Sequence, residues 1–152
     1  MPGVIALLQR VVSASVSVSG REIAGIGRGI LALVAVEPQD GDKEVERMAE
    51  RVLTYRLFPD DKGRMNRDIA DVGGELLLVP QFTLAADTDS GNRPSFSTAA
   101  SPELGRLRFG ELVEAVRRRG QGVATGEFGA DMQVALVNDG PVTFILRVKS
   151  DH

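Results

Sequence analysis

The chain has 152 residues, 43% of them hydrophobic and 26% charged, with a formal net charge of −3, which suits a single domain spanning 1–152 with a real core. It has no cysteine, and its one histidine is the last residue, His152; disulfides, thiolate chemistry and sulfur-ligated zinc are excluded, and a Ser-His-Asp arrangement is disfavoured. The charge argues against a broad nucleic-acid footprint but not against contact with one end of an RNA, and with no apolar run near ~20 residues and no secretory signal the expectation is a cytoplasmic protein without a membrane partner.

Val4–Ala14 is rich in branched residues and predicts a strand, with Arg10 interrupting it as a solvent-facing residue. Ser15–Ser19 alternates serine and valine with the period of a half-buried strand. Ser19-Gly20 signals a turn, and Arg21–Gly27 returns as the hairpin partner. Gly29–Val36 is a buried strand, so the first 36 residues predict a meander of three or four strands. Glu37-Pro38-Gln39-Asp40-Gly41 breaks it.

Asp42–Arg56 predicts a helix, since Val45, Met48, Ala49, Val52 and Leu53 form one apolar stripe. Asp40 or Asp42 is placed to cap it, and Glu44, Glu46, Arg47, Glu50 and Arg51 are assigned to its wet side. Turns follow at Asp61-Lys62-Gly63 and Asp71–Gly74. Glu75–Val79 is a continuous apolar run after its first residue, the pattern of a strand covered on both faces. A polar loop, Asp87–Pro94, and the stretch Ser95–Ala100 lead to a second helix. Ser101 as cap and Pro102 at the first helical position mark its start, and Gly120 its end. Arg117, Arg118 and Arg119 in its last turn suit the helix dipole or form a small phosphate-contacting patch. Ala130–Val137 and Val142–Val148 predict two final strands joined through Asn138-Asp139-Gly140-Pro141.

The sum is seven or eight strands and two inserted helices. That predicts an α+β fold, a small closed or nearly closed β-barrel-like mixed sheet with two main helices. No cluster of His, Asp and Glu stands out, so neither a metal nor another cofactor is expected.

The central strand changes character at Pro80-Gln81-Phe82-Thr83. Consecutive backbone N–H groups at a strand end suit a negative oxygen, and the Gln81 amide both donates and accepts. Thr83 would act as a nucleophile only with a base beside it; otherwise it is a strand residue of good β propensity. Gly140-Pro141 is by itself an ordinary turn signal.

The segments Gln9–Val11 (QRV), Glu50–Asn66 (ERVLTYRLFPDDKGRMN), Gln81–Asp87 (QFTLAAD), Gly91–Phe96 (GNRPSF), Ala124–Val134 (ATGEFGADMQV) and Asn138–Phe144 (NDGPVTF) together resemble the D-aminoacyl-tRNA deacylase family in order and spacing. The resemblance covers nearly the whole chain. It implies a β-barrel-like homodimer that hydrolyses the ester joining a D-amino acid, or mischarged glycine, to the terminal adenosine of tRNA. It implies that Gly140-Pro141 is the family's Gly–cis-Pro, inserted into the partner subunit's pocket to exclude L-amino acids, and that Arg10 supports it. It further implies that Gln81, Phe82 and Thr83 line that pocket, with the Phe82 N–H as oxyanion donor and Phe128 and Met132 near the terminal adenosine. The family is thought to use the 2′-hydroxyl of the tRNA, which would leave Thr83 dispensable. It usually has serine where this chain has Pro80, so a hydroxyl and a backbone N–H are missing here. Two other readings of the residues stand beside this one, a deacylase using Thr83 as nucleophile and a non-catalytic dimeric module that binds RNA ends.

Overall fold

The computed structural model describes residues 3–37, 41–96 and 100–149. The middle of the break at Glu37–Gly41 with the candidate cap Asp40, the middle of the stretch 95–100 and the terminal His152 lie outside the described residues.

The first strand is longer than the composition change at Ser15 predicts. β1 runs unbroken over Gly3–Val18, and Ser19-Gly20 turns it into β2 (Arg21–Ile26). β3 (Gly29–Ala35) pairs antiparallel with the first half of β1. Helix α1 (Asp42–Thr54) stops two residues before the expected end, because Tyr55 turns to extended backbone. Gly41 occupies the N-cap position and no side chain caps the helix there, so Asp42 is the first helical residue rather than a cap. Val45, Met48, Ala49 and Val52 are buried as the stripe requires. Glu44, assigned to the wet side, is instead buried at 7% exposure; it precedes Val45 on the edge of the stripe that turns inward.

A small hairpin, β4 (Phe58–Pro59) and β5 (Met65–Arg67), follows. The Asp60 carboxylate ties its turn by accepting from the Lys62 and Arg64 N–H groups and the Asn66 amide. β6 (Glu75–Pro80) lies parallel to β3, and β7 (Val123–Thr125) parallel to β6. Leu76 and Leu78 pack toward the helices while Leu77 and Val79 enter a second cluster with Val11, Val16 and Leu31. The continuous apolar run is therefore covered on both faces, as its pattern predicts. Between β6 and β7 stands α2 (Pro102–Arg118), capped by the Ser101 hydroxyl accepting from Leu104 N–H at 3.3 Å.

The last strand differs most from the sequence reading. β8 runs over Met132–Lys149 without reversal and pairs antiparallel with β1 on both sides of Asp139–Val142. Asn138–Pro141 is therefore not a turn between two strands. Sixteen residues of β1 suffice to pair with both halves of β8, so both halves keep one direction and the intervening residues arch out of the ladder. The result is a nearly closed, barrel-like mixed sheet, with α1 and α2 packed on one face.

Candidate active site

Two places in this fold carry the residues singled out by the sequence. The first is the C-terminal end of the parallel pair β3 and β6. Here β6 ends at Pro80, and the Gln81 N–H donates to the Val34 carbonyl at 2.7 Å, a last rung beyond the strand. The chain then coils into a 3₁₀ turn over Phe82–Ala85, with Leu84 N–H donating to the Gln81 carbonyl. The opening amides of such a turn have no partner within it. Those of Phe82 and Thr83 meet no acceptor among the described residues.

A cleft of about 420 Å³ opens beside this turn. Val79, Pro80, Gln81 and Phe82 form one wall, the first turn of α2 with Ser101, Pro102 and Gly105 a second, and Phe128–Met132 a third. Phe128 fits closely because Gly105 has no side chain, since a Cβ there would lie 3.0 Å from the Phe128 ring. The Arg106 guanidinium stands 5.1 Å above the same ring. The site thus brings Gln81, Phe82, Phe128 and Met132 together around one space.

Arg108 also reaches the cleft and pairs with Asp42 at 2.9 Å and Glu111 at 2.7 Å, tying α2 to the start of α1. Burial raises the Glu111 carboxyl above its ordinary pKa, and a hydrogen bond to Asp42 raises it further, against the pull of Arg108. Nothing in the sequence marks Arg106 or Arg108, because charges on a helix read as a solvated face. Nor does the sequence mark Phe96, whose ring lies 5.2 Å from that of Phe82. The only signal for it was its place in the segment Gly91–Phe96.

Thr83 does not line the cleft. It is exposed, and its hydroxyl accepts from the Gln81 side-chain amide. No carboxylate or lysine among the described residues contacts it, so the base that a threonine nucleophile needs is not beside it. Among the described residues no group of three or more His, Asp or Glu gathers around a common point.

The second place is the arch in β8. Gln9 pairs with Thr143 and Val11 with Asn138, so Arg10 alone stands opposite the four residues Asp139–Val142. The Asn138 side chain closes the arch by donating to the Thr143 hydroxyl at 2.9 Å and accepting from Val142 N–H at 2.7 Å. The Gly140–Pro141 peptide bond is cis, and both residues are exposed. Arg10, expected to face solvent on the residue reading, is 9% exposed instead. Its Nε–H donates to the Asp139 carbonyl at 3.0 Å and Nη1 to the Leu57 carbonyl at 2.8 Å. Burial of a cation is offset here by these two carbonyls and by the Asp139 carboxylate, 3.5 Å from Nε.

Within one chain these two places are apart. Val34, which receives the Gln81 N–H, pairs with Ala6, four residues along β1 from Arg10, or roughly 13 Å at strand rise. None of Arg10, Gly140 and Pro141 lines the cleft.

A family model described as D-Tyr-tRNA(Tyr) deacylase matches residues 7–147. A D-aminoacyl-tRNA deacylase of Methylococcus capsulatus is 63% identical over 148 residues, covering 97% of each chain. One of Alteromonas mediterranea is 55% identical over 144 residues, covering 95% of this chain and 99% of the relative. Among solved structures, a protein described as c-Myc DNA Unwinding Element Binding Protein superposes with a TM-score of 0.89 at 39% identity, covering 93% of this chain and 97% of its own. A probable eukaryotic D-amino acid tRNA deacylase shares the fold with a TM-score of 0.83 at 15% identity. Among the described residues no helix is long and apolar enough to cross a membrane.

Proposed function

We propose, from the fact that this chain belongs to the D-Tyr-tRNA(Tyr) deacylase family, that it hydrolyses the ester between a D-amino acid and the 3′ end of tRNA. The observation that carries the reading is the cleft. It sets the Phe82 amide, which meets no acceptor among the described residues, on a wall that adjoins an apolar one containing Phe128 and Met132. An acyl ester is already activated, and a terminal adenosine is a flat apolar body with polar edges. The cleft supplies a surface for the second and main-chain dipoles for the first.

In the reaction a water oxygen bonds to the acyl carbon and the Phe82 N–H steadies the negative oxygen that develops there. The carbon–oxygen bond to the ribose then breaks, and the proton from water passes to the ribose oxygen. Free amino acid and uncharged tRNA result. That no base among the described residues bonds to Thr83 supports a route in which the neighbouring 2′-hydroxyl of the ribose assists.

Gly140-Pro141 acts from a second copy of the chain, entering its partner's cleft and blocking the side chain of an L-amino acid by clash. Glycine, having no side chain on the blocked side, is hydrolysed as well. Two features support the pairing. The arch does not line its own chain's cleft, and Val12, Val137 and Ile145 are exposed on β1 and β8 around it. A homodimer acting on charged tRNA belongs in the cytoplasm.

The test is to incubate the purified protein with D-tyrosyl-tRNA and follow release of free tyrosine. Turnover with release is expected. Binding without release would overturn the reading in favour of a module that holds RNA ends.

A further inference from the structure

Two grooves flank the exposed side of α1, and their charges are opposite. The groove between α1, the end of α2 and the end of β8 is lined by Lys43, Arg47, Arg51, Arg119, Arg147 and Lys149. Against these six cations stand three carboxylates, Glu44, Glu46 and Glu50, a surplus of three positive charges on a chain whose net charge is −3. The groove on the α1–α2 side carries five carboxyl groups, Asp42, Glu46, Glu103, Glu111 and Glu114, against Arg106 and Arg118. A polyanion approaching this end of the molecule is drawn to one side of α1 and turned away from the other.

The basic groove also adjoins the cleft. Glu44 lines the groove and the next residue, Val45, lines the cleft. Val148 lines the groove, and its β1 partner Val4 lines the cleft. The two spaces share a wall made of the first turn of α1 and the ends of β1 and β8.

We infer that the basic groove seats phosphates of the tRNA acceptor stem while the 3′ end occupies the cleft. This rests on the deacylase reading and adds to it a surface, an approach direction and a division of labour. The cleft recognises the acyl-adenosine, and the groove supplies affinity for the body of the RNA. Few phosphates are engaged, which reconciles an acidic protein with a polyanionic substrate. The arginines in the last turn of α2 divide accordingly. Arg117 pairs with Glu114 and Arg118 with Glu46; Arg119 also pairs with Glu46, at 3.4 Å, and it alone of the three lines the groove.

The experiment compares two substrates, D-tyrosyl-tRNA and D-tyrosyl-adenosine, the second carrying the same ester with no phosphate. The variant is Arg47→Gln with Lys149→Gln, both exposed. KM for D-tyrosyl-tRNA is expected to rise roughly tenfold, and the salt dependence of kcat/KM to lose about one unit of slope per phosphate contact removed. Turnover of D-tyrosyl-adenosine keeps its wild-type value. An unchanged KM for the tRNA would overturn the groove. If the unsubstituted protein cleaves neither substrate, the deacylase reading itself fails. If the double variant loses the short substrate too, its fold is damaged, and Arg51→Gln gives the same readout from the middle of the groove.

Discussion

The Nε–H of Arg10 donates to the carbonyl of Asp139 at 3.0 Å, across the larger of the two places where β1 and β8 fall out of register. One arginine thus holds the arch that carries Gly140 and Pro141. Its other donor, to Leu57, fastens the same side chain to the connection after α1. Arg10→Ala removes two charge-assisted hydrogen bonds from a buried site, each contributing about 1.5–3 kcal/mol. A loss of about 3 kcal/mol in the urea unfolding free energy is expected, with weaker rejection of L-aminoacyl-tRNA. Arg10→Lys keeps the charge but reaches one carbonyl, so it should fall between. Wild-type stability for the alanine variant would show that the arch stands without this support.

Gly140 has φ +139, a region that side chains rarely adopt, and a Cβ there would lie 2.6 Å from Val142 Cγ2 and 3.2 Å from Arg10 Nη2. Gly140→Ala should therefore disturb the arch at a cost of about 1–3 kcal/mol while leaving the cleft intact. The expected result is slower hydrolysis of D-tyrosyl-tRNA together with a narrower gap between D and L substrates. An unchanged gap with full activity would separate the arch from selectivity.

The Phe82 amide is tested by Phe82→Pro, which deletes the N–H, against Phe82→Leu, which deletes only the ring. The proline variant should lose roughly 10²–10³ in kcat, as oxyanion donors do elsewhere, and the leucine variant should keep most of its rate. Equal losses in the two would assign the effect to the aromatic contact with Phe96. Thr83→Ala completes the series. With no base in contact, the variant should stay within about tenfold of wild type, where loss of a residue in a proton-transfer or nucleophile role costs 10² or more.

Much of this was legible in the residues. The two-sided burial of β6, the Ser101-Pro102 helix start and the apolar stripe of α1 follow from local rules, and each stands in the structure as expected. The failures share a cause. Whether Asn138–Pro141 is a turn or an arch depends on β1, more than a hundred residues away, being long enough to pair with both halves of β8. Arg10 reads as exposed because a lone arginine in a strand is commonly solvated; its partners are the Asp139 and Leu57 carbonyls and the Asp139 carboxylate at 3.5 Å, all far from it along the chain. Arg106 and Phe96 carry no signal of their own beyond charge and hydrophobicity. Their relation to Phe128 and Phe82 exists only once α2 and the loop before it are placed.

Glu37 gives a prediction about pH. It is 8% exposed, and burial raises its carboxyl above the ordinary 4.5, outweighing the Gly3 N–H and the Arg147 charge that favour ionisation. The folded state thus holds this proton more tightly than the unfolded chain does. The stabilisation is fully present below pH 4.5 and is lost as pH rises through the folded value. Glu37→Gln should therefore gain thermal stability relative to wild type as pH goes from 4 to 7. A difference that stays flat or runs the other way would show that the Arg147 charge outweighs burial.

The most direct measurement is the pair of single-turnover rates on D-tyrosyl-tRNA and L-tyrosyl-tRNA under one set of conditions. A protein that selects the hand of the acyl group by blocking one face should cleave the D form faster by a factor on the order of 10² or more. Equal rates, or cleavage of the L form alone, would contradict a stereochemical gate at Gly140-Pro141.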